Sequence, residues 1–62
     1  MTNVLAWLVV DKNGGEWVYP VLPVRTDRGW DEYTSVELPR GSIEKLIGKK
    51  LTWRDKPYMI KG

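Results

Sequence analysis

The stretch that decides the fold is Val4–Val10, with the sequence Val-Leu-Ala-Trp-Leu-Val-Val. Successive side chains of a strand point to opposite faces, so both faces of this stretch are apolar. A strand of that kind lies in the centre of a sheet that is covered twice, closes into a small barrel, or lies at an interface. Residues 3–10 are therefore predicted to form a first strand with one of these three surroundings.

Residues 11–15, Asp-Lys-Asn-Gly-Gly, predict a turn after the first strand. Asn-Gly is the preferred pair of a two-residue type I′ loop, because both of its central residues need positive φ. Such a loop places Val10 opposite Trp17, whereas a longer loop that includes Gly15 shifts this register. Both registers predict a hairpin between the first strand and a second strand over residues 16–24.

The middle of the chain is predicted to hold proline, a polar loop and a third strand. Pro20 and Pro23 have no backbone N–H, so the second strand belongs at a sheet edge or carries a bend. Residues 25–31 predict a polar loop with one aromatic residue, Trp30. Residues 32–38 alternate between polar and apolar side chains, which predicts a strand with one solvent-exposed face.

A short helix is predicted after the third strand. Ile43, Leu46 and Ile47 recur at the i, i+3, i+4 spacing of one helical face. Ser42 is the expected N-cap and Gly48 the expected C-terminal stop. A helix of at most two turns is stable only when its apolar face packs on the sheet.

The C-terminal segment predicts a second hairpin, with Asp55-Lys56 as its loop. This loop pairs Trp53 with Tyr58 on the core side and leaves Lys50 across from Lys61 on the other side. Like charges opposite one another are mildly destabilising in a sheet, and a negatively charged partner would remove that cost.

Together these elements predict one small domain over residues 1–62, mainly β with some α, in the order β-β-β-α-β-β. This order is similar to that of the OB-fold, where a helix lies between strands three and four. The resemblance is one of element order and includes no sequence motif. A compact OB-like or SH3-like barrel and an open antiparallel sheet with one short helix all satisfy it.

The composition excludes several kinds of site. The 62 residues include no cysteine and no histidine, which excludes disulfides and Cys/His zinc sites. The commonest general base and the strongest neutral-pH nucleophile are missing too, so we expect no enzyme activity and no cofactor. Asp27, Asp31 and Glu32 are the nearest group of carboxylates, but they lack the spacing of a calcium loop. We expect them to be surface groups and predict no metal.

Charge is unevenly distributed along the chain, although the net charge is only +2. Residues 1–39 carry three basic and six acidic side chains, and residues 40–62 carry seven basic and two acidic ones. Such asymmetry marks a surface for nucleic acid or an acidic partner, or simply a solvated face. The candidate basic face consists of Lys49, Lys50, Arg54, Lys56 and Lys61.

The aromatic content favours binding to another protein. Four Trp and three Tyr cannot all be fully buried in 62 residues, and exposed aromatic rings are enriched at interfaces. Trp30, in the polar loop, is the candidate exposed ring. We expect a small protein-interaction or regulatory protein, such as an inhibitor of the kind that phages and other mobile elements encode. Its partner is an unidentified protein or a second copy of itself.

Nucleic-acid binding by a small β-barrel, through the basic C-terminal hairpin, is the alternative prediction. No membrane association is expected, because the longest apolar run is Val4–Val10 and a spanning helix needs about 20 residues. A cytoplasmic location is expected from the lack of cysteine and of a recognisable signal peptide.

Overall fold

A computed structural model describes residues 3–27, 29–30 and 35–62 of the chain. In chain order the elements are β1 (Val4–Val10), β2 (Glu16–Tyr19), β3 (Arg25–Thr26), β4 (Gly29–Trp30), β5 (Val36–Leu38), α1 (Ser42–Ile47) and β6 (Tyr58–Lys61). Four strands form an antiparallel sheet in the spatial order β5, β2, β1, β6, and β3 and β4 form a second, two-stranded sheet. The helix α1 lies between β5 and β6 in the chain.

The predicted mainly β fold with one short helix is confirmed. Of the predicted architectures, the open antiparallel sheet is the one found, since β5 and β6 pair only with β2 and β1 among the described residues. The element order differs from the prediction in two places: β3 and β4 add a small hairpin, and a single strand follows the helix. Strand β1 is central, as its two apolar faces predict, with β2 on one side and β6 on the other.

The loop between β1 and β2 is the longer of the two that the sequence predicts. Val10 pairs with Glu16 instead of Trp17, so the loop contains five residues, 11–15. Asp11 closes it, because its N–H donates to the Gly15 carbonyl at 2.8 Å. Gly14 takes a φ of 85°, and a Cβ at this position would lie 2.9 Å from an Arg40 guanidinium nitrogen. The end of the Arg40 side chain is flexible and can move aside, so it is the positive φ of Gly14 that favours glycine.

Strand β2 ends at Tyr19, immediately before Pro20. Of the two predicted alternatives, the edge position is wrong, because β2 lies between β1 and β5, and the bend is found at Pro20 and Val21. The predicted strand as far as Val24 is also wrong: proline ends the ladder and the chain bends away from the sheet. The predicted third strand is observed only over Val36–Leu38, and its expected beginning, residues 32–34, lies outside the described residues.

Helix α1 is capped from a distant strand. The predicted Ser42 N-cap is wrong, because Gly41 occupies that position with a φ of 94° and no side-chain cap of its own. The Glu16 carboxylate of β2 accepts hydrogen bonds from the backbone N–H of Gly41 at 2.6 Å and of Ile43 at 2.7 Å. The predicted stop at Gly48 is confirmed, with a φ of 76° and its N–H donated to a helix carbonyl.

The predicted C-terminal hairpin is wrong. The chain makes a turn at residues 52–55, where the Asp55 carboxylate accepts the N–H of Thr52 at 2.6 Å. Strand β6 then pairs with β1, with Tyr58 opposite Leu8. This pairing covers residues 4–8 of β1, so β6 takes its hydrogen-bonded neighbour from the other end of the chain and not from residues 51–54. The expected juxtaposition of Lys50 and Lys61 is therefore wrong as well.

The main sheet separates the core into two clusters. On the helix face, as we call the side covered by α1, three residues are buried: Leu8, Val10 and Ile43. The side chains packed around them are Val18, Leu38, Ile47, Leu51, Tyr58 and Ile60. On the opposite, tryptophan face the buried residues are Val9, Tyr19 and Trp30, packed by Trp7, Trp17 and Trp53. All four tryptophans thus belong to one cluster, and the predicted pairing of Trp53 with Tyr58 is wrong.

Candidate binding surfaces

Trp30, the predicted exposed aromatic residue, is only 7% exposed. Within the expected polar loop, the strands Arg25–Thr26 and Gly29–Trp30 form the β3–β4 hairpin, in which Arg25 pairs with Trp30. The indole Nε1–H donates to the carbonyl of Val10 at 2.9 Å. A buried indole needs such an acceptor, which explains how one ring anchors a two-residue strand over the sheet. The predicted exposure of Trp30 is wrong.

Arg25 holds the same hairpin against the turn at residues 52–55. Its guanidinium carbon lies 4.6 Å from the centroid of the Trp30 ring and 4.9 Å from that of Trp53. Its Nη2 donates to the carbonyls of Trp53 at 2.9 Å and Asp55 at 2.8 Å. Cation–π contacts and carbonyl contacts therefore act together at one residue. No pattern in the sequence singled out Arg25, since a Trp30 predicted to be exposed gave no reason to look for its hairpin partner.

A groove of about 590 Å³ lies between the 11–15 loop, the start of α1 and the turn at residues 52–55. Three of its charged side chains, Lys12, Glu16 and Arg40, hold these segments together. Lys12 donates to the carbonyl of Asp27 and lies 5.2 Å from the Trp53 ring. Arg40 donates to the carbonyl of Asn13 at 2.9 Å. Together with the Glu16 cap, these contacts indicate a structural role for this groove.

The five residues of the candidate basic face are all exposed, but the hairpin that was to align them is not formed. Lys50 lines the groove beside the 11–15 loop. Lys49 lies with its Nζ 5.2 Å from the ring of Tyr58, and Lys61 is the last residue of β6. Arg54 and Lys56 belong to the irregular segment before β6. The structure therefore places basic groups in several parts of the C-terminal region.

A second groove, also of about 590 Å³, runs between α1 and the outer edge of β6. Two of its apolar side chains are well exposed, Leu46 at 64% and Met59 at 37%. Leu46 was predicted to pack on the sheet, but in this short helix Ile43 and Ile47 form the contact with the core. The remaining residues that line this α1–β6 groove are Ile47, Tyr58, Ile60 and Lys61.

The beginning of β1 is a further apolar surface. Val4 is 44% and Leu5 is 60% exposed, whereas Leu8 is 1% exposed. Because Tyr19 pairs with Trp7, the chain leaves β2 at this same end of the sheet. The segment that follows exposes three more aliphatic side chains at about 60%: Val21, Leu22 and Val24. Sequence reasoning identified β1 as apolar on both faces but did not predict that only half of it is covered.

The part of the chain that the structure describes contains no cluster of acidic side chains suited to a metal ion, while Asp31 and Glu32 lie outside it. Within the same residues, no helix has the length and apolar character needed to cross a membrane. Comparisons with protein-family models, with curated proteins and with solved structures found no match to this chain.

Proposed function

We propose that this chain is a small non-enzymatic module that binds another protein. The observation that carries the proposal is the α1–β6 groove, in which exposed Leu46 and Met59 lie beside three further apolar residues. Single exposed apolar residues are normal, but contiguous apolar surface marks interaction sites. The groove offers such a surface on regular secondary structure, which holds its shape before binding.

The size of the domain supports the same proposal. A 62-residue chain buries only about 60% of its unfolded surface, so covering more apolar area by association adds stability. The uncovered beginning of β1, with Leu5 at 60% exposure, is a second area that association would cover. Self-association through this end of the sheet is part of the proposal. A regulator or inhibitor that acts in the cytoplasm fits a chain without histidine or cysteine.

The test is quantitative capture of a partner with matched variants. Leu46→Gln removes the exposed leucine and keeps a good helix former, and Val36→Thr is its control on β5, where Val36 is 61% exposed. A captured protein is purified and mixed with each variant, and affinity is measured by calorimetry. We expect about tenfold weaker binding for Leu46→Gln and little change for Val36→Thr. The proposal fails if no captured protein forms a complex with the purified chain and the chain is monomeric in sedimentation.

Nucleic-acid binding is the second candidate. The observation that favours it is the exposure of Lys49, Lys50, Arg54, Lys56 and Lys61 in a region with seven basic and two acidic side chains. Phosphate contacts predict binding that weakens steeply between about 50 and 200 mM salt. A triple variant with Lys50, Arg54 and Lys61 changed to Glu is expected to abolish the shift of a short oligonucleotide. Equal binding by this variant would exclude these residues as the phosphate-binding surface.

A further inference from the structure

We propose that the outer edge of β6 binds an extended, acidic segment of the partner protein as an additional strand of the main sheet. The inference rests on the proposed protein-binding function and names the part of the partner that is recognised. The partner segment would run beside Tyr58–Lys61, with an apolar side chain in the α1–β6 groove and carboxylates near the surrounding lysines.

The backbone of β6 supplies the first argument. Among the described residues β6 has a neighbour on one side only, β1, and it forms one of the two outer edges of the four-stranded sheet, the other being β5. An edge strand carries backbone N–H and C=O groups that point outward, and an added strand satisfies them. The burial of β6 alternates, with Tyr58 and Ile60 half-buried and Met59 and Lys61 exposed. The edge therefore has the regular pleat that strand addition needs.

Side chains beside this edge supply the second argument. Leu46 is more exposed than any other large apolar residue of the described chain, at 64%, and it lines the same groove as Met59 and Ile60. Strand addition derives its affinity from the main chain and its specificity from pockets for alternate side chains. The open groove along the strand gives one apolar side chain of the partner an apolar surface of this kind.

Charge decides between an acidic partner and a second copy. Three exposed lysines, Lys45, Lys49 and Lys61, lie on α1, directly after it and at the end of β6. Symmetric antiparallel pairing of β6 with β6 of a second copy would place Lys61 opposite Tyr58, and the Nζ of Lys49 lies 5.2 Å from the centroid of that ring. Two basic groups would then approach each other, and like charges across a sheet are destabilising. Carboxylates of a partner would be attracted to the same lysines. The same charges make a lysine-rich partner strand unfavourable.

The experiment selects peptides from a random displayed library with the full chain as bait. We expect extended sequences that alternate apolar and other residues and are rich in Asp and Glu. A synthetic peptide of the enriched sequence is then bound to the wild type and to Leu46→Gln, Lys61→Glu and the control Val36→Thr. The first two variants are expected to bind about tenfold more weakly, and the control to bind within about twofold of the wild type.

A second readout is specific to strand addition. Backbone amides of residues 58–61 that point away from β1 are expected to exchange with deuterium more slowly in the peptide complex, because the added strand accepts their hydrogen bonds. Slower exchange of these amides with rising protein concentration alone would assign the edge to a second copy and overturn the inference. Protection of these amides by a single-stranded oligonucleotide, with no peptide selected, would assign the edge to nucleic acid and overturn it too.

The outcomes separate this inference from the proposed function. Peptides that bind all variants equally, or that are basic or helical, overturn the acidic-strand inference and leave protein binding standing. Loss of binding in Leu5→Lys with unchanged binding in Leu46→Gln would also overturn the acidic-strand inference and leave protein binding standing. It would assign the binding site to the beginning of β1. A chain that binds neither a selected peptide nor a captured protein overturns both.

Discussion

The two faces of the main sheet are covered by different means. On the helix face a six-residue helix packs aliphatic side chains, with Ile43 and Leu8 each 1% exposed. On the tryptophan face two strands of two residues each suffice, because the buried ring of Trp30 packs with Val9 and Tyr19 and three further tryptophans surround them. One aromatic ring buries about 150–250 Å², so few residues suffice when they are large.

Helix α1 and the β3–β4 hairpin are also held on the sheet by different contacts. The helix depends on apolar contact and on the carboxylate of Glu16, which reaches its first turn from β2. The β3–β4 hairpin depends on polar and cation–π contacts of Trp30 and Arg25. A chain without disulfides or a zinc site thus stabilises its short elements by single long-range contacts from other parts of the fold. Substitutions at these contacts should therefore destabilise the packing on one face of the sheet and leave the other face unchanged.

The largest effect is expected at Trp30. Trp30→Ala removes the buried indole and should lower the free energy of unfolding by about 3–5 kcal/mol in urea titrations. Since a 62-residue domain has a total of about 3–9 kcal/mol, this variant is close to unfolding. Trp30→Phe keeps a ring but leaves the Val10 carbonyl without its donor, for a loss of about 1–2 kcal/mol. Wild-type stability of Trp30→Ala would contradict the hairpin as the cover of this face.

The next effect is expected on the helix face, at Ile43. Ile43→Ala leaves a cavity beneath α1 and should reduce the free energy of unfolding by about 2–4 kcal/mol. The folded variant should keep the tryptophan fluorescence of the wild type, because all four indoles lie on the other face. Ile43→Val is the milder control, at about 1 kcal/mol. A changed emission maximum in the folded Ile43→Ala protein would mean that the two faces are not independent.

Arg25 provides a smaller effect, confined to the tryptophan face. Arg25→Ala removes the cation between two indoles and should reduce stability by about 1–2 kcal/mol, as measured by thermal unfolding. Arg25→Lys keeps the positive charge but loses the stacking of the planar guanidinium on the indoles, so it should retain only part of the stability that Arg25→Ala loses. Arg54→Ala, at an exposed position in the neighbouring turn, is the control and should change stability by less than about 0.5 kcal/mol.

A substitution of Glu16 is expected to lower the stability of the protein through the helix face only. Glu16→Gln leaves one carbonyl oxygen for the two N–H groups of Gly41 and Ile43, and should reduce stability by about 1 kcal/mol in denaturant titrations. Glu44→Gln, in the exposed first turn of the same helix, is the matched control at about 0.3 kcal/mol. Equal losses in both variants would contradict the role of Glu16 as the cap.

The smallest effect on stability is expected at Leu46. At 64% exposure Leu46 contributes little to the core, so Leu46→Gln should change the free energy of unfolding by less than about 0.5 kcal/mol. The same variant is expected to lose partner affinity, which separates the groove from the two covered faces. A loss of stability comparable to that of Ile43→Ala would show that Leu46 belongs to the helix-face core.

Local patterns predicted most of the elements. Apolar character along β1, the turn at residues 11–15, the helix spacing of Ile43 and Ile47, and the stop at Gly48 were all readable because each depends on neighbours in the chain. The register of the first hairpin was not, since Asn13-Gly14 and the additional Gly15 satisfy two loop lengths. Hydrogen bonds within the loop select the longer one.

Long-range contacts account for what the sequence did not predict. The carboxylate of Glu16 caps a helix that begins 26 residues later in the chain. Local sequence patterns could point only to a neighbouring side chain for this role, and Ser42 was therefore the predicted cap. Strand β6 pairs with residues 4–8 of β1, about 50 residues away in the chain, and the local turn pattern at Asp55-Lys56 gave no indication of this distant partner. Because the predicted hairpin does not form, the basic residues do not share one strand face. The candidate groove appears only when α1 and β6 are placed side by side.

The pairing of β1 with β6 has a consequence for how the chain folds. Leu8 and Tyr58 are partners although about 50 residues separate them, and Gly62 donates its N–H to Asn3 at 2.7 Å. Contacts between distant residues slow folding, because a long loop must close before they form. At a synthesis rate of about 5–20 residues per second, β6 is made seconds after β1, so β1 lacks this neighbour during that time. During that interval the apolar strand is exposed to aggregation, and a chaperone that shields residues 4–10 would increase the yield of folded protein.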